Sequence, residues 1–281
     1  MIGVFDFGSG GLTVMRAFES VLQNEEFVYL GDHGNAPYGN NATDDIHDLT
    51  QAALTRLFGY GCSLVVIACN TAVAISLRKL QQTWLPKTFP DRRVIGVIAP
   101  VAEELTRAPW STTCATTPVH SDRPVESVAI FATQHTVESN AFAVEINSRN
   151  PDIKVYQQVC HGLALLIEQD APENVLRSEI RKNVDALLIA TSQTPDVCIL
   201  GCTHYPIVEH IWRTELPASV RIISQSNACA QSLVDYLKRN PHFSKARTED
   251  NKFFTTGDVE IVSERASLFY TSRVEFSRMD A

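Results

Sequence analysis

Two stretches of the chain follow the same pattern, LVVIACNT at residues 64–71 and VCILGCTH at residues 197–204. Each opens with a short run rich in Val, Ile and Leu, which is typical of a strand buried on both faces of a parallel sheet. A cysteine follows each run, Cys69 in the first stretch and Cys202 in the second. Open α/β sheets bind ligands at the carboxyl ends of their strands. The pattern therefore predicts an α/β protein whose two thiols face one small molecule from opposite sides.

Strand and helix patterns alternate along the rest of the chain, which predicts mostly parallel sheets flanked by helices. The alternation restarts after residues 108–124, a stretch rich in Ser, Thr and Pro that we expect to be a surface loop. The predicted strands are residues 2–5, 27–30, 64–67, 94–98, 128–131, 153–157, 197–200, 221–223 and 252–255. The predicted helices cover 12–22, 43–60, 72–80, a segment from Pro100, 137–146, 162–168, 173–190, a segment from Ile207, and 228–238.

Composition excludes several classes of function. The 281 residues carry a net charge of -8, and nucleic-acid affinity rests on clustered Lys and Arg, so we expect no nucleic-acid partner. No apolar stretch reaches the roughly 20 residues that cross a bilayer, so we expect no membrane partner. The chain opens directly on a predicted strand rather than a signal peptide, which predicts a cytoplasmic location. The sequence is compatible with a monomer or a homodimer, because no residue pattern marks an interface.

Most of the seven cysteines are not expected to carry chemistry. Their odd number and the lack of secretory features argue against disulfides, and the absence of Cys-x-x-Cys spacing argues against a metal site. Cysteines inside a core are usually inert, which is our expectation for Cys62, Cys198 and Cys229. Cys114 lies in the predicted loop and is expected to be an exposed thiol without function.

Polar residues near the two cysteines have a functional and a structural interpretation. Asp6 ends the first predicted strand, where its carboxylate can orient the thiol of Cys69 or simply cap the following turn. Taken alone, capping is the better interpretation. The segment Pro37-Tyr38-Gly39 can bind an anion through its amides and phenol, or form an ordinary turn.

Both cysteines are followed by residues at the expected start of a helix, namely Asn70 and Thr71 in one case and Thr203 and His204 in the other. The N-terminus of a helix binds carboxylates and favours the thiolate form of a nearby cysteine. His204 also transfers protons near neutral pH, two residues from Cys202. The repetition of this arrangement favours a catalytic interpretation.

Five segments in this order carry a family resemblance: Asp6 with GGLTV at 10–14, PYG at 37–39, ACNTA at 68–72, GCTHYP at 201–206 and TTGD at 255–258. Together they resemble the glutamate racemases of the aspartate/glutamate racemase superfamily, over nearly the whole chain. The resemblance implies two similar α/β lobes with the active site between them. The first lobe is expected at 1–98 plus 208–281 and the second at 99–207.

The resemblance also implies a cofactor-independent reaction. One cysteine thiolate removes the α-proton of glutamate and the other cysteine, as a thiol, supplies a proton on the opposite face. Asp6 is then expected to assist Cys69, and His204 to assist Cys202. Glu168 matches a family position whose side chain is expected to hold His204 in place. Substrate-binding residues are implied at Phe7, Pro37, Tyr38, Gly39, Asn70, Thr71 and Thr203. The implied role is supply of D-glutamate for peptidoglycan, and hence for cell wall biogenesis and cell shape.

The chain departs from the family pattern beside Asp6. The family has Asp-Ser-Gly there, whereas this chain has Asp6-Phe7-Gly8, which replaces a hydroxyl by an apolar ring. Ser9 offers a hydroxyl two positions later. Three hypotheses follow: a glutamate racemase or a racemase of another acidic amino acid, a different reaction of the superfamily such as decarboxylation of a small dicarboxylate, and a binding protein without turnover. Both cysteines are present, which favours the racemase.

Overall fold

The apolar runs form parallel strands in a computed structural model, which describes residues 1–36, 38, 41–108, 125–270 and 273–279. Pro37, Gly39, Cys114 and most of the loop predicted at 108–124 lie outside these residues. The strands are β1 (Ile2–Asp6), β2 (Phe27–Gly31), β3 (Leu64–Ile67), β4 (Arg93–Gly96), β5 (Ser127–Ala132), β6 (Lys154–Val159), β7 (Val197–Gly201), β8 (Arg221–Ile223), β9 (Lys252–Thr255) and β10 (Ser277–Arg278).

The helices follow the strands in alternation. They are α1 (Leu12–Val21), α2 (Thr43–Gly59), α3 (Asn70–Ala72), α4 (Leu85–Thr88), α5 (Ile98–Thr106), α6 (Gln134–Glu138), α7 (Ala141–Arg149), α8 (Leu163–Glu168), α9 (Glu173–Thr191), α10 (Glu209–Glu215), α11 (Gln225–Arg239) and α12 (Val259–Ala266). Between α3 and α4 the chain stays helical through π-type turns at Val73–Leu77 and Leu80–Trp84. Short 3-10 turns lie at His33–Asn35, Tyr205–Val208 and Pro241–Phe243.

The chain forms two compact units, Met1–Val97 with Cys229–Ala281, and Ile98–Ala228. Within the described residues, the first unit holds a sheet in the order β10-β9-β2-β1-β3-β4 and the second a sheet in the order β6-β5-β7-β8. Every strand pair within these sheets is parallel. The predicted α/β class, with two parallel sheets flanked by helices, is confirmed.

The return of the chain to the first unit lies later than the sequence suggested. The expected boundary allotted residues 208–281 to the first lobe, but β8 pairs with β7 in the second sheet. The second unit consequently extends to Ala228, inside α11. The difference between the expected and the observed boundary comes from the strand Arg221–Ile223. A run of three residues does not show which strand it will pair with.

Each unit has its own apolar core. In the first, Phe5, Val28, Leu54 and Ile67 belong to one buried cluster between the sheet and its helices. In the second, Trp212 is fully buried, with its ring centroid 4.7 Å from that of Phe131. Burying side chains of this size is the dominant favourable contribution to folding. None of the helices that the structure describes has the length and apolar character to cross a membrane.

Candidate active site

The first unit gathers polar side chains where β1, β2, β3 and β9 end. Asp6 is the last residue of β1 and is buried, and its Oδ2 accepts a hydrogen bond of 2.6 Å from the backbone N–H of Gly11. The capping role considered for Asp6 is therefore present. Asp32 follows β2 directly, and its backbone N–H donates to the carbonyl of Asp6 at 2.9 Å. Parallel pairing thus places both carboxylates at one edge of the sheet.

Cys69 lies at the same edge of this sheet. It follows β3 and immediately precedes α3, and it is half-buried. Its carbonyl accepts the backbone N–H of Val73 at 3.0 Å, which fixes Cys69 as the residue before the helix. Asn70 and Thr71 form the first turn and are buried. The predicted placement of a cysteine at a strand end and a helix N-terminus is thus present, a position that favours carboxylate binding.

Phe7 and Tyr38 pack against each other beside these groups. Their rings are nearly parallel, with centroids 3.3 Å apart, and both residues are buried. The hydroxyl of Tyr38 donates to the carboxylate of Asp32. The hydroxyl of Ser9, two residues after Phe7, lies 3.1 Å from Nε2 of His33.

The second unit brings three predicted residues together around Cys202. This cysteine follows β7 and is buried, and its Sγ lies 3.7 Å from Nδ1 of His204. Nε2 of the same ring lies 2.6 Å from Oε2 of Glu168, the last residue of α8. Thr203, between Cys202 and His204, is buried as well. The chain Cys202–His204–Glu168 has the arrangement of an acid–base group oriented by a carboxylate.

Electrostatics keep the His204 ring charged. Burial lowers the pKa of an imidazole, but hydrogen bonds to Cys202 and Glu168 and the negative charges of both groups raise it. The raising effects prevail, so the pKa of His204 lies well above its usual range. The charged ring therefore places a positive charge 3.7 Å from the sulfur of Cys202.

Three further cysteines have raised pKa values. Burial raises the pKa of Cys62 to about 12, and it also raises the pKa values of Cys198 and Cys160. These cysteines stay neutral thiols near neutral pH. Within the described residues, no cluster of three or more His, Cys, Asp or Glu side chains is arranged to hold a metal ion.

Comparison with known proteins identifies the family. The chain is 43% identical over 276 residues to the glutamate racemase of Roseobacter denitrificans, and the match covers 98% of both chains. The chain belongs to the glutamate racemase family. It is therefore an amino-acid racemase, an isomerase. No protein-family profile matches the chain.

Solved glutamate racemases have the same fold. A glutamate racemase isoform from Bacillus anthracis superposes with a TM-score of 0.84 at 27% identity, over 100% of this chain and 97% of that one. The glutamate racemase of Francisella tularensis, solved in complex with D-glutamate, gives a TM-score of 0.82 at 26% identity, over 100% and 97% of the two chains. The resemblance seen in the sequence motifs is confirmed.

Sequence reasoning missed two residues beside the candidate site, Asp32 and Thr256. Asp32 was not singled out, although it follows a predicted strand just as Asp6 and Cys69 do, and the same strand-end argument predicts its position. Thr256 was noted only as part of a motif, and its hydroxyl donates to Oδ1 of Asp32 at 2.5 Å. Glu168 was found through the resemblance alone, since a helix C-terminus carries no signal for contact with His204.

Proposed function

We propose that the chain interconverts L- and D-glutamate by two-base proton transfer, with Cys69 and Cys202 as the two bases. Membership of the glutamate racemase family supports the substrate, and the Francisella relative binds D-glutamate. The proposal uses no cofactor. Because the two cysteines belong to different units, it requires that one bound glutamate reach both sulfur atoms.

The chemistry follows from the weak acidity of the α-proton. A thiolate takes this proton from Cα, the C–H electron pair becomes that of a carbanion delocalised into the α-carboxylate, and an S–H bond forms. The opposite thiol then gives its proton to the other face of Cα and becomes a thiolate. Each turnover thus exchanges the protonation states of Cys69 and Cys202. Positioned hydrogen-bond donors around the α-carboxylate lower the barrier by stabilising the developing charge.

The Cys202–His204–Glu168 chain is the observation that supports this proposal most strongly. Its distances of 3.7 Å and 2.6 Å connect a thiol, an imidazole and a carboxylate in sequence. The raised pKa of His204 keeps a positive charge beside the sulfur. A thiolate at Cys202 is stabilised by this charge, which suits its role as the base for one enantiomer.

We assign the other enantiomer to Cys69, assisted by Asp6. The buried carboxylate of Asp6 is held in place by Gly11 and lies on the strand next to the one that leads to Cys69. Asn70 and Thr71 in the first turn after Cys69, and Thr203 after Cys202, are the proposed donors to the substrate. Pro37 and Gly39 complete the proposed set of residues that bind glutamate, and Phe7 and Tyr38 are proposed to border it.

The product suggests the place of the reaction in the cell. We propose that D-glutamate formed by this racemase supplies peptidoglycan synthesis in the cytoplasm, and so contributes to cell wall biogenesis and cell shape. This role rests on family membership rather than on geometry. Depletion of the protein in its own host should then cause loss of cell shape that added D-glutamate relieves.

Racemisation in deuterated water tests the two-base mechanism. L-Glutamate is incubated with the protein in D2O, and α-proton content is measured by NMR separately in product and residual substrate. Two bases predict deuterium at Cα of the D-glutamate formed, because its proton comes from a solvent-equilibrated thiol, and protium in the residual L-glutamate. Protium carried over into the product would indicate one base serving both faces. A protein that leaves both enantiomers unchanged would contradict the proposal as a whole.

A further inference from the structure

Phe7 and Tyr38 form an aromatic pair that is nearly closed to solvent. Their exposed fractions are 5% and 4%, and the planes of the two rings differ by 6°. The ring of Phe5 also packs on that of Phe7 in a nearly perpendicular arrangement, with ring centroids 5.3 Å apart. A phenol that is both stacked and buried has little freedom to turn toward a ligand.

The hydroxyl of Tyr38 already has a partner inside the first unit. Among the described residues, Asn35 and Thr256 donate to the buried carboxylate of Asp32 together with Tyr38. Burial raises the pKa of Tyr38, and the hydrogen bond to Asp32 and the charges of Asp32, Cys69 and Asp6 raise it further. The phenol is therefore neutral, and its hydroxyl donates a hydrogen bond to Asp32.

Cys69 lies close enough to the aromatic pair for its charge to act on the Tyr38 hydroxyl. Phe7 and Tyr38 belong to the buried apolar cluster of the first unit, and Cys69 packs against that cluster. An apolar surface next to a thiolate keeps water away and strengthens the remaining electrostatic interactions. The ring of Tyr38 thus belongs to the apolar surroundings of the Cys69 thiol.

We propose that Phe7 makes Tyr38 a positioning residue: the stacked pair forms a wall that shields Cys69, with the Tyr38 hydroxyl bound to Asp32 and not to glutamate. The inference rests on the proposed role of Cys69 as a base. It reassigns the Tyr38 side chain from substrate binding to the support of a catalytic thiol.

Two substitutions of Tyr38 separate the ring from the hydroxyl. Tyr38→Phe keeps the wall and loses the hydrogen bond to Asp32, whereas Tyr38→Ala loses both. The measurements are kcat and KM for each enantiomer of glutamate, and the rate at which iodoacetamide alkylates Cys69, read by peptide mass spectrometry. Alkylation of Cys202 in the same sample is the internal reference, because Cys202 lies in the other unit.

The proposal predicts a split between kcat and KM. Tyr38→Phe should leave KM within about twofold and lower kcat by less than about fivefold, with Cys69 alkylated at nearly the wild-type rate. Tyr38→Ala should lower kcat by about tenfold or more while KM changes by less than about threefold, because water reaches the thiolate. Its Cys69 should be alkylated several times faster, with Cys202 unchanged.

A rise in KM of about tenfold in Tyr38→Phe, with kcat retained, would show that the phenol binds glutamate and overturn the proposal. Unchanged kcat and unchanged Cys69 alkylation in folded Tyr38→Ala would also overturn it. Should Tyr38→Ala not fold, Tyr38→Phe still decides, because it retains the packed ring. The two-base mechanism is tested on the wild-type protein by its solvent-deuterium pattern. Failure of that test can therefore be distinguished from failure of the proposal for Tyr38, which is tested on the variants.

The role of Phe7 is tested in a double-mutant cycle. If the stack holds Tyr38 in place, Phe7→Leu should lower the urea midpoint, and Tyr38→Leu should lower it less in the Phe7→Leu background than in wild type. Additive effects of the two substitutions would mean that the rings act independently, which contradicts the assigned role of Phe7.

Discussion

Oε2 of Glu168 lies 2.6 Å from Nε2 of His204, and the opposite nitrogen of the same ring lies 3.7 Å from Sγ of Cys202. The carboxylate therefore acts on the thiol through the imidazole. It favours the protonated ring, and the protonated ring favours the thiolate. In the proposed mechanism, Glu168 is in this sense a positioning residue for Cys202.

Glu168→Gln should change the pH dependence of catalysis. Loss of the carboxylate removes one of the effects that raise the pKa of His204, so the imidazolium is lost at lower pH. The alkaline limb of kcat, for the enantiomer whose proton Cys202 takes, should consequently move to lower pH. For the other enantiomer, the alkaline limb of kcat should move less. Measurement of kcat against pH in both directions checks this, and an alkaline limb that stays in place would contradict the role of Glu168.

The same ionisation contributes to stability with a definite sign. Because the folded-state pKa of His204 is raised, its stabilising effect is complete below the ordinary histidine pKa of about 6.5 and is lost as pH rises through the folded value. His204→Asn should thus be most destabilised relative to wild type at pH below about 6.5, with the difference shrinking at alkaline pH. Urea unfolding at several pH values measures it. A difference that grows with pH would have the wrong sign.

Gly11→Ala should displace Asp6 by steric contact alone. A Cβ at residue 11 would lie 2.5 Å from Cβ of Asp6 and 3.1 Å from Cβ of Ala68, although the backbone of Gly11 is in an ordinary helical conformation. Moving the carboxylate should lower kcat by about tenfold or more for the enantiomer served by Cys69. Steady-state kinetics in both directions measure the loss.

Gly59→Ala is the matched control for Gly11→Ala. Residue 59 belongs to α2, and outside the neighbouring helix backbone no atom of the described residues lies within 4 Å of a Cβ built there. This change should leave kcat unaltered and raise stability by about 0.5–1 kcal/mol, because alanine loses less backbone entropy on folding. Equal kinetics for the two alanine variants would refute the steric role given to Gly11.

The sequence predicted the positions of Cys69 and Cys202 better than it predicted their surroundings. Cys69 and Cys202 were placed because runs of Val, Ile and Leu mark buried parallel strands, and the residue after such a strand lies at the ligand-binding edge. The contact of Glu168 with His204 joins separate elements, and no local pattern encodes it. The predicted helix at 137–146 is two helices in the structure, since Asn140 takes a left-handed conformation between α6 and α7.

Two late elements were absent from the sequence prediction for different reasons. α12 (Val259–Ala266) begins after Asp258, whose Oδ1 caps the backbone N–H of Ile261 at 3.0 Å. That signal was present in the sequence but was assigned to a motif. β10 (Ser277–Arg278) spans two exposed residues, and so short a strand has no periodicity from which to predict it.

Trp212→Ala tests the core of the second unit. The side chain is fully buried and packs on Phe131 and Tyr205, so its truncation should lower the free energy of unfolding by about 3–5 kcal/mol. Ile189→Ala is the control, since Ile189 is 78% exposed and should change stability by less than about 0.5 kcal/mol. Urea unfolding followed by circular dichroism measures both. A small effect at Trp212 would contradict the packing described.

Thiol labelling should separate reactive cysteines from inert ones. Burial raises the pKa values of Cys62, Cys160 and Cys198, so iodoacetamide should modify them slowly in the native protein at pH 8 and rapidly in urea. The half-buried Cys69 should react first among these four cysteines. Peptide mass spectrometry over time identifies each site, and rapid native labelling of Cys62 would contradict its burial.

The pair of single-cysteine substitutions, Cys69→Ala and Cys202→Ala, tests the central claim most directly. Each variant is incubated with L- and with D-glutamate in D2O, and α-deuteration and optical rotation are followed together. Two bases predict that neither variant racemises, and that each exchanges the α-proton of one enantiomer only, opposite for the two variants. Racemisation at the wild-type rate by either variant would contradict the account.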